Sequence, residues 1–68
     1  METVKLTVSG MTCQGCVRSV KRVLEDIPGV VAADVSLEHG EARVDFDPTR
    51  ASPMQLKAAV EEAGYDAA

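Results

Sequence analysis

From Thr3 to Val8 the chain alternates: Val4, Leu6 and Val8 fall on one side, Thr3, Lys5 and Thr7 on the other. A period of two with one apolar side predicts a half-buried strand. Ser9-Gly10 ends it. From about Gln14 to Asp26 the period lengthens. Cys16, Val20, Val23, Leu24 and Ile27 recur at helical spacing with Val17 beside them, while Arg18, Lys21, Arg22 and Glu25 take the other face. Pro28-Gly29 stops this helix. Val30 to Leu37 returns to a period of two, with Ala33, Val35 and Leu37 on one face and Asp34 and Ser36 opposite. Glu38-His39-Gly40 predicts a hairpin turn, Gly supplying positive φ. Ala42, Val44 and Phe46 then alternate with Arg43 and Asp45 until Asp47-Pro48. Ser52-Pro53-Met54-Gln55 reads as a helix start, with Ser as N-cap, Pro at the first helical position and Gln completing a capping box. Leu56, Ala59, Val60 and Ala63 form its inward stripe, and Gly64 its end. Tyr65 to Ala68 leave room for a stub of a fourth strand.

The predicted order is β-α-β-β-α with a short last β. Two right-handed crossovers onto one antiparallel sheet give an α+β, ferredoxin-like βαββαβ sandwich, two helices on one sheet with the fourth strand short or truncated. No linker, repeat or low-complexity segment divides residues 1–68, so one domain is expected. A truncated fourth strand leaves one sheet edge open to pairing.

Composition narrows the function. With 68 residues, 46% of them hydrophobic, the chain folds but buries a small core. Phe46 and Tyr65 are its two aromatics, so Val, Leu, Ile and Ala build that core. A buried substrate cleft of ordinary enzyme size does not fit, which argues against catalysis. The net charge of −4 disfavours non-specific nucleic-acid binding. No apolar run reaches membrane-spanning length. Met1-Glu2-Thr3-Val4-Lys5 lacks the basic and apolar blocks of a signal peptide, and the cytosol is expected.

The chemistry lies in Gly10-Met11-Thr12-Cys13-Gln14-Gly15-Cys16, between the first strand and the first helix. Cys13 falls in the loop and Cys16 in the first helical turn, where the helix dipole and free amides lower thiol pKa values. Two thiols at this spacing hold one soft ion or form one disulfide. In a reducing cytosol the pair is metal-binding or redox-active rather than structural. Soft thiolates suit Cu(I), which accepts two or three ligands; Zn(II) normally takes four. Hg(II) also accepts two thiolates, and the ligands alone leave it open. His39 is the one imidazole, and its hairpin is expected to lie far from the cysteines. A dithiol oxidoreductase is the enzyme-class rival, though that fold needs a longer chain.

The stretch Gly10 to Cys16 resembles the GMTCxxC signature of the heavy-metal-associated domain family. Pro28-Gly29-Val30, Val35-Ser36-Leu37 and Glu61-Glu62-Ala63-Gly64-Tyr65-Asp66-Ala67 are similar to further landmarks of that family. The family includes small copper chaperones and the N-terminal domains of copper-transporting P-type ATPases. The resemblance implies that Cys13 and Cys16 bind Cu(I) and pass it by ligand exchange to a similar domain of a copper ATPase. Met11, Thr12, Gly15 and Tyr65 would surround the site. The family's Met packs into the core, which is preferred here over Met11 as a thioether ligand. Tyr65 would cover the loop, as in similar bacterial chaperones; mercury-binding members carry Phe there and a secretory leader. The same resemblance admits an excised ATPase domain or a mercury or zinc relative. Arg18, Lys21 and Arg22, just past the cysteines, form a candidate docking patch for an acidic partner. A metal-bridged homodimer is a further expectation, since one exposed CxxC leaves Cu(I) accessible to a second.

Overall fold

The computed structural model describes residues 1–68. The alternating segments form strands β1 (Glu2–Ser9), β2 (Val30–Ser36) and β3 (Glu41–Phe46), and the helical periods form α1 (Gln14–Glu25) and α2 (Pro53–Glu62). A two-residue strand β4, Asp66–Ala67, closes the order. All pairings are antiparallel and the sheet runs β2-β3-β1-β4, the ferredoxin-like arrangement expected from the sequence.

Alternation becomes burial. Leu6 and Val8 of β1, Ala33 of β2, and Ala42, Val44 and Phe46 of β3 turn inward against Val20 and Leu24 of α1 and Leu56 and Val60 of α2. Phe46 is the largest fully buried side chain, so one aromatic anchors an otherwise aliphatic core. No polar or charged residue is buried. The core therefore carries no unpaired polar group that would oppose folding. None of the core residues is a cysteine.

The capping box at α2 forms as read: Gln55 N–H donates to Ser52 Oγ at 3.3 Å and Ser52 N–H to Gln55 Oε1 at 2.9 Å. Three details differ from the sequence reading. Strand β2 ends at Ser36, because Leu37 enters the turn and accepts from Gly40 N–H at 3.3 Å. A bulge leaves Val31 between Val30, paired with Phe46, and Ala32, paired with Asp45, and leaves it 66% exposed. Ala63 is exposed rather than inward, since α2 stops one residue earlier and Ala63 serves as its C-cap.

Gly64 follows at φ +99°, a backbone conformation that L side chains avoid. Its N–H donates to Glu61 O at 3.1 Å and the Tyr65 N–H to Val60 O at 3.3 Å. Together these bonds make a Schellman motif. The chain thereby turns sharply from α2 into β4, and Tyr65 is set at the turn.

Strand β4 pairs Val8 with Ala67 and Ser9 with Asp66, and Thr7 exchanges backbone bonds with Ala68 at 3.0 and 2.9 Å. The last residues thus lie against the end of β1 that leads into the cysteine loop. Helix α1 packs mainly on β2, and α2 on β4 and β1. No helix is long and apolar enough to cross a membrane.

Candidate metal centre

Three structural decisions bring the thiols together. Gly10 leaves β1 at φ +98°, and a Cβ there would stand 3.6 Å from the Tyr65 ring. Cys13 is the N-cap of α1, extended at φ −156° and ψ 170°, and its carbonyl accepts the first helical bonds from Cys16 and Val17 at 3.0 and 3.2 Å. Its side chain caps nothing and remains free for other bonding. Cys16 follows in the first helical turn, with backbone fixed by the helix.

The Cys13 and Cys16 sulfurs are 3.5 Å apart. Both are free thiols; Cys13 is exposed and Cys16 half-buried. Gly15 leaves room beside them, since a Cβ on it would sit 3.6 Å from the Cys13 sulfur. Thr12 Oγ1 lies 3.9 Å from the Cys16 sulfur. Met11 is partly buried and packs against the core cluster, as does Tyr65.

The Cys16 thiol is lowered from the ordinary 9.0 to about 6. The main cause is a hydrogen bond from the Thr12 backbone, followed by bonds from the Cys13 thiol and the Tyr65 hydroxyl. Tyr65 reciprocates: donating to Cys16 raises its phenol above the ordinary 10.0. No acidic residue occupies the first turn of α1. Anionic sulfur therefore has no carboxylate rival for the free amides and positive dipole end of the helix.

Two features lay outside the sequence reading. Ser19 contributes a hydrogen bond at the Tyr65 hydroxyl, opposing the rise in its pKa. Its spacing of three from Cys16 on α1 was the available signal. The second is where the β2–β3 hairpin sits along the sheet: Val8 N–H donates to Gly40 O at 2.8 Å, so His39 shares the cysteine end of the sheet. Even so, no three His, Cys, Asp or Glu residues converge to hold a metal, and His39 does not complete a site with the thiols. His39 instead lines a cavity of about 460 Å³ with Asp34, Ser36, Glu41 and Arg43. Arg18, Lys21 and Arg22 are all exposed on α1, where the sequence placed them.

A two-thiol site at a helix N-terminus, on a β2-β3-β1-β4 sheet, has the chemistry to hold one soft ion or to form one disulfide. The heavy-metal-associated domain model matches residues 5–66, and the chain belongs to that family. It is 44% identical over 66 residues to the copper chaperone CopZ of Staphylococcus saprophyticus, covering 97% of each chain. The copper binding domain from HMA7, a P-type ATPase, superposes with a TM-score of 0.99 at 37% identity, over 100% of this chain and 92% of that one. A CopZ metallochaperone structure gives a TM-score of 0.95 at 39% identity, over 98% of this chain and all of its own.

Proposed function

We propose that this chain is a soluble cytoplasmic copper chaperone, with Cys13 and Cys16 as its ligands and Cu(I) as cargo. The observation that carries this reading is the thiol pair: 3.5 Å apart at an exposed helix N-terminus, with no third His, Cys, Asp or Glu converging on it. Such a set is too sparse for the four ligands of structural zinc and suits the low coordination of Cu(I). The likeness to CopZ chaperones and to an ATPase copper-binding domain supports the same metal and suggests the acceptor: a metal-binding domain of a copper-transporting P-type ATPase.

Transfer needs no catalytic base, and the function is binding and exchange rather than enzyme catalysis. A thiolate from the acceptor forms a third Cu–S bond, and the bond to a resident sulfur then breaks. Copper stays Cu(I) throughout, so no oxidant or reductant takes part. Exposed Cys13 is placed to meet the incoming thiolate first. Cys16 leaves as a thiolate above its pKa of about 6 and needs no proton. Met11 supports the loop from the core side, Gly15 leaves the space beside Cys13, and Thr12 and Tyr65 hold the Cys16 sulfur. Arg18, Lys21 and Arg22 steer an acidic partner surface to the site. The exposed thiols also allow one ion to bridge two copies.

Anaerobic Cu(I) titration against a competing chelator tests the assignment. One Cu(I) per chain is expected, with affinity falling by orders of magnitude in Cys13→Ser or Cys16→Ser. Full affinity in the double variant would sink it.

A further inference from the structure

Four of the five glycines are explained by their backbone. Gly10, Gly29, Gly40 and Gly64 all stand at positive φ, where L side chains are strained. Gly15 does not: it lies in the first turn of α1, with a helical backbone that any L residue adopts. Glycine is unfavourable there, because it loses more conformational freedom in a helix than alanine does. Crowding does not demand it either. Beyond the adjoining residues, a Cβ on Gly15 would meet one atom within 4 Å, the Cys13 sulfur, at 3.6 Å, an ordinary van der Waals contact. The fold would therefore accept alanine, and the atom that the missing methyl leaves uncovered is a metal ligand.

The rest of the thiol pair is already attended. Thr12 and Tyr65 bond the half-buried Cys16 sulfur, and Tyr65 packs on the core. Cys13 is exposed, and its side chain makes no capping bond. We propose that Gly15 keeps open the approach by which a third thiolate reaches an ion on Cys13, and so sets the rate of exchange rather than the affinity. The proposal rests on the copper reading. With metal–thiolate bonds of about 2.3 Å, as for zinc, three sulfurs around one ion stand about 4 Å apart. The entering sulfur thus lies at nearly the distance from Cys13 at which the missing methyl would stand. It donates an electron pair to Cu(I) and forms the third Cu–S bond. One resident Cu–S bond then breaks, and its pair returns to that sulfur as thiolate. Copper remains Cu(I) throughout. A methyl on Gly15 leaves both resident bonds in place and crowds only the third.

Gly15→Ala and Gly15→Val place a methyl and then an isopropyl group beside the Cys13 sulfur. Alanine favours helix over glycine, so the first variant keeps its fold. In the apo chain, alkylation of Cys13 by iodoacetamide, read by mass spectrometry, should slow from wild type to Ala to Val. In the Cu(I)-loaded chain, excess 2-mercaptoethanol is the entering thiol. X-ray absorption should show wild type gaining a third sulfur neighbour and Gly15→Ala keeping two. With a chromogenic Cu(I) chelator as the final trap, the thiol-dependent release rate should be about tenfold lower in Gly15→Ala, or ~1.4 kcal/mol on the barrier. Gly15→Val should be slower still, while Cu(I) affinity by chelator competition matches wild type in both. Gly15→Ala that exchanges as fast as wild type, or takes the third sulfur as readily, overturns the proposal. So does a parallel fall in affinity, which would make Gly15 part of the two-sulfur site itself. Equal apo alkylation in all three chains overturns the steric argument whatever the metal does. Wild type that holds no Cu(I) overturns the copper reading beneath it.

Discussion

The sulfurs of Cys13 and Cys16 stand 3.5 Å apart, and only Cys16 is fixed by helix backbone. With metal–thiolate bonds of about 2.3 Å, as for zinc, two sulfurs on opposite sides of an ion would be about 4.6 Å apart. A linear site therefore requires the pair to open by about 1 Å. Cys13, as an exposed N-cap with no capping bond, is the residue free to move. Cu(I) loading is expected to shift the amide resonances of residues 11–16 and leave those of the sheet in place. The apo protein should already show full amide dispersion, because no core residue is a ligand. Collapsed dispersion without metal would contradict this.

Proton linkage at Cys16 has a definite sign. The thiol ionises at about 6 in the folded chain against an ordinary 9.0. A depressed acid contributes stability that is complete above the unfolded pKa and lost as pH falls through the folded one. Apo stability should thus rise between pH 6 and pH 9. Tyr65 acts in reverse: its pKa is raised above 10.0, so its contribution is present below that value and lost as pH rises through the folded pKa. Urea midpoints across this range are the measurement, and a flat profile from pH 6 to 9 would refute the linkage. Tyr65→Phe removes one donor to Cys16 and should move the thiolate absorbance titration of Cys16 upward. Cu(I) affinity should weaken below about pH 6, where a proton competes for Cys16.

Gly64 sets Tyr65 without touching the site. A Cβ on Gly64 would meet nothing within 4 Å, so Gly64→Ala isolates the backbone cost of φ +99°. That substitution should destabilise the chain by about 1–2 kcal/mol. If the Schellman turn is what aims Tyr65, the Cys16 titration should also move upward. A stability loss with an unmoved Cys16 titration would show that Tyr65 is held by its packing on the core instead.

What could be read from the sequence was local. Ser52 and Gln55 are three residues apart and bond each other's backbone, so the α2 start was legible without tertiary information. The strand alternations and the loop placement of Cys13 were legible for the same reason. The position of His39 was not. It depends on β3 pairing beside β1 in the register Thr7 to Glu41, which brings the hairpin to the cysteine end. Tyr65 was expected near the loop from family likeness, but its coupling to Cys16 is a contact between residues 49 positions apart, which no local pattern shows. The Val31 bulge was hidden because an extra residue breaks the period of two that identifies a strand.

Lys5 guards the open edge of β1. Thr7 directs its N–H and C=O to Ala68 at that edge, and Lys5, two residues earlier, directs its own the same way. Strand β4 spans only Asp66–Ala67, so nothing in the sheet pairs with Lys5 there. An exposed edge of this kind invites strand addition from another chain, and a lysine on it is a recognised deterrent. Lys5→Val should leave the fold intact, since the residue is exposed, and should promote self-association at high protein concentration. That association differs from copper bridging: it should persist in Cys13→Ser/Cys16→Ser and in the presence of a Cu(I) chelator. Static light scattering of Lys5→Val without copper is the measurement. A monomer at concentrations where the wild type is also monomeric would show that the short β4 and the local twist protect this edge by themselves.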